Sequence, residues 1–363
     1  IYLTRHLGFS TVHAGYILAL YGIGALIIAP TAGHLCDRYG AVRIMEISIF
    51  SNGVLLLILP FITHHVGIII AIFVLAIVSE MFRPASMAAV TQFVTVEQRK
   101  PAYALSRLAI NLGMSIGPAL GGFLATVSYS WLFWIDGTTS IIAGVLLVIA
   151  ALPNQPKRKP VENAQQDFQA SSIFHDTRLI LFLLSVIPIA FVFFQHISAM
   201  PLYMVRDLKM SEKIYGLMFT LNTLLIVVLE LPINLATVHW SSRKSLVLGT
   251  TLCAIGFGGL AFATNIITVM ITVIVWTFGE MILFPGMSAY VAHIAPERKQ
   301  GAYMGFYVMT FGIGFTLAPW GGTQLLNYGG VICWGIVFVV GMISAIMMAI
   351  FVREPVVAEK VSI

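Results

Sequence analysis

Residues 267–293 read ITVMITVIVWTFGEMILFPGMSAYVAH, and residues 67–93 read GIIIAIFVLAIVSEMFRPASMAAVTQF. Each is a run long enough to cross a hydrocarbon core as a helix, which takes about 20 apolar residues. Neither shows the strict alternation of a barrel strand. The two also match each other: a shift of 200 places Glu80-Met81 on Glu280-Met281, and a shift of 201 places Pro84 on Pro285. A membrane span and its duplicate are thus visible in one comparison.

The same reading extends along the chain. Apolar runs predict eleven full spans at 12–34, 42–63, 67–93, 101–126, 130–152, 178–204, 213–238, 245–264, 267–293, 301–326 and 330–352. Of the 363 residues, 59% are hydrophobic and only 10% charged, against about 25% charged in a soluble domain. Most of the surface therefore faces lipid, where backbone polar groups must be satisfied within helices. The three cysteines, Cys36, Cys253 and Cys333, have neither disulfide-framework nor zinc spacing, and no metal site is expected.

The duplication continues outside the opening pair. Tyr2, Arg5, Leu7, Ser10 and Gly15 fall on Tyr203, Arg206, Leu208, Ser211 and Gly216, and Pro118 and Gly121 fall on Pro319 and Gly322. Segment 178–200 has no partner in the first half. The pattern predicts two pseudo-symmetric six-helix bundles, with the first helix largely absent from this sequence and residues 1–5 its tail. Residues 1–152 form the N-terminal bundle, 153–177 a polar linker and 178–363 the C-terminal bundle.

The net charge of +5 is explained by orientation, without nucleic acid. If the connection after 12–34 is cytoplasmic, fourteen Lys and Arg residues fall on that side and four on the other. This is the positive-inside pattern, and it places the linker and C-terminus in the cytoplasm. Short loops without an N-x-S/T sequon fit a bacterial inner membrane.

Two motifs give the chain a resemblance. Gly33-His34-Leu35-Cys36-Asp37-Arg38-Tyr39-Gly40-Ala41-Val42-Arg43 looks like the loop signature of the major facilitator superfamily. Glycines there let helix ends approach, and Asp37 can meet a helix N-terminus or an arginine. The resemblance implies a conformational latch built from Gly33, Asp37, Arg38, Gly40 and Arg43. The second-half counterpart, around Thr237 to Lys244, lacks the acid and glycines, so a weak latch is expected there. Gly113-Met114-Ser115-Ile116-Gly117-Pro118-Ala119-Leu120-Gly121-Gly122 matches the superfamily's antiporter signature, G-x-x-x-G-P-x-x-G-G. Gly113, Gly117, Gly121 and Gly122 would allow close helix packing, and Pro118 a bend. The resemblance implies a twelve-helix all-α fold of the drug:proton antiporter branch. That branch's arginine-glutamine-glycine motif is replaced by Glu80-Met81-Phe82-Arg83-Pro84.

Charges at membrane depth cost about 2.5–3.5 kcal/mol each on insertion scales, so each needs a reason. Glu80 and Arg83 share a helix face, as an ion pair or as a polar patch on a central cavity. Glu280 is the repeat mate of Glu80, but Leu283 stands in place of the arginine. An unpaired acid, and with it a proton carrier, is expected there. Glu230 has no basic residue within a turn and is a second candidate, with a structural contact as the alternative. Arg107 could neutralise Glu80, bind an anionic group or snorkel. Asn111, one turn after Arg107 and on the same side, is a cavity candidate; Asn222 and Gln195 are further ones, with core hydrogen bonding the more common explanation for such residues; Asp136 is expected to cap or snorkel. Aromatic residues are expected mostly at lipid.

These features lead to proton-coupled efflux of small amphipathic or drug-like compounds by a monomer, with the proton gradient as energy source and no cofactor. Proton symport, or lipid or siderophore carriage, are the alternatives on the same fold. A membrane-embedded enzyme is a distant third, since no H-E-x-x-H, G-x-S-x-G or nucleotide-binding loop is present.

Overall fold

A computed structural model describes residues 11–151 and 173–353. The suspected first-helix tail, most of the linker and the extreme C-terminus lie outside these described residues. The described chain is helical throughout: α1 (Thr11–Tyr39), α2 (Ala41–Ile58), α3 (His65–Phe93), α4 (Arg99–Val127), α5 (Tyr129–Ala151), α6 (Thr177–Phe193), α7 (Ala199–Leu202), α8 (Glu212–Ala236), α9 (Ser242–Gly259), α10 (Ile266–Ile294), α11 (Gln300–Asn327) and α12 (Gly330–Phe351). α6 runs on through a tight turn, the short α7 and a wide turn to make one span, Thr177–Asp207. Among the described residues, nine helices are long and apolar enough to cross a membrane. The eleven expected spans all appear as helices, with ends moved by a few residues.

Local chemistry sets the ends. Gly40 turns the chain between α1 and α2 at φ 99°, a conformation that side chains resist. Asp176 caps α6 by accepting from the N–H groups of Arg178 and Leu179. Asn265 and Thr268 form a reciprocal capping box at the start of α10.

The described residues fall into two compact units. The first takes the chain up to Thr95, the chain from Ile110 through α5, and Pro296–Gly312. The second takes Val96–Ala109, the chain from η-turn residue Ile173 to Ala295, and Ile313 onward. The start of α4 therefore belongs with the second unit, and the start of α11 with the first. Helix pairings repeat between the units: α1 with α3, α2 with α3 and α2 with α5 in one, α8 with α10, α9 with α10 and α9 with α12 in the other. Outward stripes repeat too. Ile142, Leu146 and Ile149 of α5 are exposed, as are Ile343, Ile346 and Ile350 of α12. Apolar residues exposed at helical spacing are what a lipid solvent calls for.

Candidate functional site

The second unit concentrates its polar groups on α8, α10 and the first turns of α4. On α8, Asn222, Ile226, Glu230 and Asn234 follow at four-residue intervals, and all are buried. On α10, Thr277, Glu280 and Phe284 share a face by the same helical spacing. Arg107 of α4 reaches both acids. Its Nη2 lies 2.5 Å from Glu280 Oε1, and its Nε lies 3.2 Å from Glu230 Oε1. Asn222 donates to Glu280 Oε2 at 2.8 Å and to Thr277 Oγ1 at 2.9 Å. The Arg107 guanidinium also donates to the Glu280 carbonyl and sits 4.5 Å from the Phe284 ring centroid.

The two acids differ in what holds them. Glu280 has both oxygens in hydrogen bonds. Glu230 is fully buried, and among the described residues neither of its oxygens accepts a hydrogen bond, although Arg107 Nε lies close by. One guanidinium thus faces two buried carboxylates, one of them unsatisfied.

Several expectations change here. Glu280 is not unpaired: its partner comes from α4, where a search along its own helix face could not find it. Arg107 meets Glu280 and Glu230, not Glu80. Glu80 and Arg83 form no ion pair; Glu80 accepts from Tyr21 Oη at 3.3 Å, and Arg83 is exposed. Gln195 follows the core hydrogen-bonding explanation. Its amide donates to the Phe191 and Ala318 carbonyls and accepts from Ser198, and it is fully buried. Asn222 belongs to the acid network, while Asn111 falls in the first unit. Asp136 is exposed and lines a cavity of the first unit.

Aromatic residues also gather in the second unit. Phe193 packs edge-on against Phe284 at 4.6 Å, and His196 and Phe257 lie 5.9 and 5.2 Å from Trp276. Trp276 is one turn before Glu280, and its buried indole N–H has no hydrogen-bond partner among the described residues. A recess of about 10 Å³, room for one water, is lined by His196, Met200, Tyr215, Met218, Phe219 and Trp276. The lipid-facing expectation does not hold for these rings, which a composition count could not separate from belt aromatics.

In the first unit, Asp37 accepts from the N–H of Gly301 at 2.7 Å and of Ala302 at 2.8 Å, in the first turn of α11. A carboxylate on the positive end of a helix is favourable. Gly33 and Gly301 touch backbone to backbone, and a Cβ on either would collide with the carbonyl of the other. Arg38 lies over the ring of Tyr39 at 5.2 Å.

Two of the antiporter-motif glycines behave otherwise, while Pro118, Gly121 and Gly122 lie outside the residues whose surroundings are described. A Cβ on Gly113 or Gly117 would meet nothing within 4 Å among the described residues. In α11, Gly314, the repeat counterpart of Gly113, presses on Ala190, and Gly321 and Gly322 press on Phe191 and Gln195, in and just after α6. A first-unit cavity of about 420 Å³ is lined by Tyr21, Ser48, Asn52, Ser79 and Asp136 among others.

A helical membrane protein of two repeated units, with ion-paired acids buried between its spans, is built as a transporter. The chain belongs to the Major Facilitator Superfamily, whose family model matches residues 1–211 and again 190–362. It is 26% identical to the uncharacterized transporter YqjV of Bacillus subtilis, over 91% of this chain and 81% of that one. It is also 26% identical to Multidrug resistance protein 2 of Bacillus subtilis, over 81% of this chain and 74% of that one. Among solved structures, a bacterial homologue of the iron transporter ferroportin superposes with a TM-score of 0.76 at 14% identity, covering 96% of this chain and 92% of that one. The Escherichia coli fucose:proton symporter gives 0.75 at 15% identity, covering 95% and 92%. The chain is a multi-pass membrane transporter, not an enzyme.

Proposed function

We propose that this transporter is a proton-coupled exporter of small amphipathic compounds, and that Glu230, with Glu280 and Arg107, carries the coupling. The supporting observation is the charge balance: two acids, one guanidinium and a Glu230 carboxylate without a hydrogen bond. A buried carboxylate left unsatisfied favours neutralisation, and a bound proton supplies it. Protonation changes what Arg107 holds, so the two charge states favour different conformations of the helices that carry them. The membrane potential would supply about 2.3 kcal/mol per charge per 100 mV, besides the pH difference. Glu80, held by a single long hydrogen bond from Tyr21, is the lesser proton candidate.

Export of amphipathic compounds rests on two supports. Several relatives are named multidrug resistance proteins, at 22–26% identity. The aromatic and methionine wall around Trp276 offers polarizable, adaptable contacts one turn from the acids. A monomer in the bacterial inner membrane, with its basic loops in the cytoplasm, completes the reading.

Purified protein in liposomes, with an imposed pH gradient and a panel of one cationic, one neutral and one anionic dye, tests it. The expected result is dye movement against the proton flow that collapses with a protonophore. Movement that is indifferent to the gradient for every dye would count against coupling, and movement in the same direction as protons would make the protein a symporter.

A further inference from the structure

α4 opens with two basic residues that a sequence count assigns to loop charge. The structure uses them otherwise. Lys100 is 8% exposed, and its Nζ lies 2.8 Å from Thr237 Oγ1, 3.2 Å from the Thr237 carbonyl and 3.3 Å from Ser245 Oγ. Three acceptors match the three N–H bonds of an ammonium. Thr237 is the C-cap of α8, and Ser245 stands in the first turn of α9. One side chain therefore ties the start of α4 to the ends of two other helices. The Thr237 carbonyl stands at the negative end of α8, which suits a cation. Arg99 adds a bond from Nη1 to the Ala292 carbonyl, 2.6 Å away near the end of α10.

No carboxylate pairs with Lys100 among the described residues. A cation kept buried by neutral acceptors alone is poorly explained by stability. Its place along the helix offers a better reason. Arg107 follows seven residues later, about 10 Å further on and within about 20° of the same face. Tyr103 and Ala104, between them on that face, are buried as well.

We propose that Lys100 is a positioning residue for the acid network. Its clamp on Thr237 and Ser245 sets the height and rotation of α4 at which Arg107 meets Glu230 and Glu280. A slip of one residue would turn α4 by about 100° and carry the guanidinium away from both acids. Among the described residues, His196, after α6, and Cys253 of α9 also interact electrostatically with Glu280.

Only the transport arm of the test rests on the proposed function. The first arm is a double-mutant cycle on thermal unfolding of the full chain in detergent, with Lys100→Met, Arg107→Gln and the pair. Sites about 10 Å apart without shared partners give additive losses. The clamp predicts that the pair loses clearly less than the sum of the singles, because part of the Lys100 effect is the loss of Arg107 pairing. Strict additivity would overturn the proposal. If Lys100→Met does not accumulate, Thr237→Val removes one hydroxyl and enters the same cycle. The second arm is the pH dependence of gradient-driven dye transport. With Arg107 displaced, its midpoint should rise by roughly one unit in Lys100→Met, within the range an arginine exerts on a neighbouring acid, and Lys100→Arg should restore it. A lower rate at every pH with an unmoved midpoint would mark Lys100 as merely structural. If the wild-type protein shows no driven transport, proton coupling falls, and the cycle still decides the role of Lys100.

Discussion

Replacing Arg107 with Gln should leave two buried acids without the one cation that pairs with them among the described residues, and the consequence can be worked from the geometry. The side chains of Glu230 and Glu280 are 0% and 5% exposed, so water cannot replace the lost charge. Removing one partner of a buried ion pair costs about 3–5 kcal/mol. The upper half of that range applies here, because Arg107 serves two acids and donates to the Glu280 carbonyl as well. The loss must depend on pH. Protonating the acids removes the charge that Arg107 balanced, so the variant takes up protons more readily than wild type, and its deficit shrinks as pH falls. Thermal unfolding in detergent between pH 5 and 8 measures this. The variant should melt several degrees below wild type at pH 8 and approach it at pH 5. Adding Glu280→Gln should recover much of the loss at pH 8. A variant as stable as wild type at pH 8, or a deficit that ignores pH, would refute the buried network.

Three further outcomes follow from the first unit. Asp37→Asn keeps the shape but loses the charge at the start of α11, which should cost about 0.5–1 kcal/mol; transport per molecule should fall while membrane abundance, read by immunoblot, holds. Gly301→Ala drives a methyl group into the Gly33 carbonyl and against Asp37, so it should depress transport more than Asp37→Asn; equal activity to wild type would show that the backbone contact is dispensable. Glu80→Gln should leave the pH dependence of transport unchanged, since its carboxylate accepts only the 3.3 Å bond from Tyr21; a moved pH profile would place Glu80 in the coupling path.

The helices were legible because lipid imposes one solution on the backbone. Runs such as 267–293 announce spans on length and polarity alone, and the Glu80 and Glu280 match exposes the repeat. The contact of Asp37 was legible for a similar reason: an acid between glycines at a helix end meets a helix N-terminus or an arginine. The acid network was legible only as separate residues. Glu230, Glu280 and Arg107 are more than a hundred residues apart in part, and nothing in spacing tells which helix will supply a partner. Lys100 was hidden differently, since a basic residue at a span end looks like orientation charge whether it is exposed or buried. Gln195 was legible only as two alternatives, because an amide at membrane depth can serve a core or a cavity, and the structure takes the core one.

Glu230→Gln in proteoliposomes bears most directly on the account. The amide keeps the size of the side chain and cannot exchange a proton. Dye transport driven by a pH gradient should disappear, while dye exchange across liposomes without a gradient continues at near the wild-type rate. Gradient-driven transport undiminished in both Glu230→Gln and Glu280→Gln would contradict a proton path through these acids.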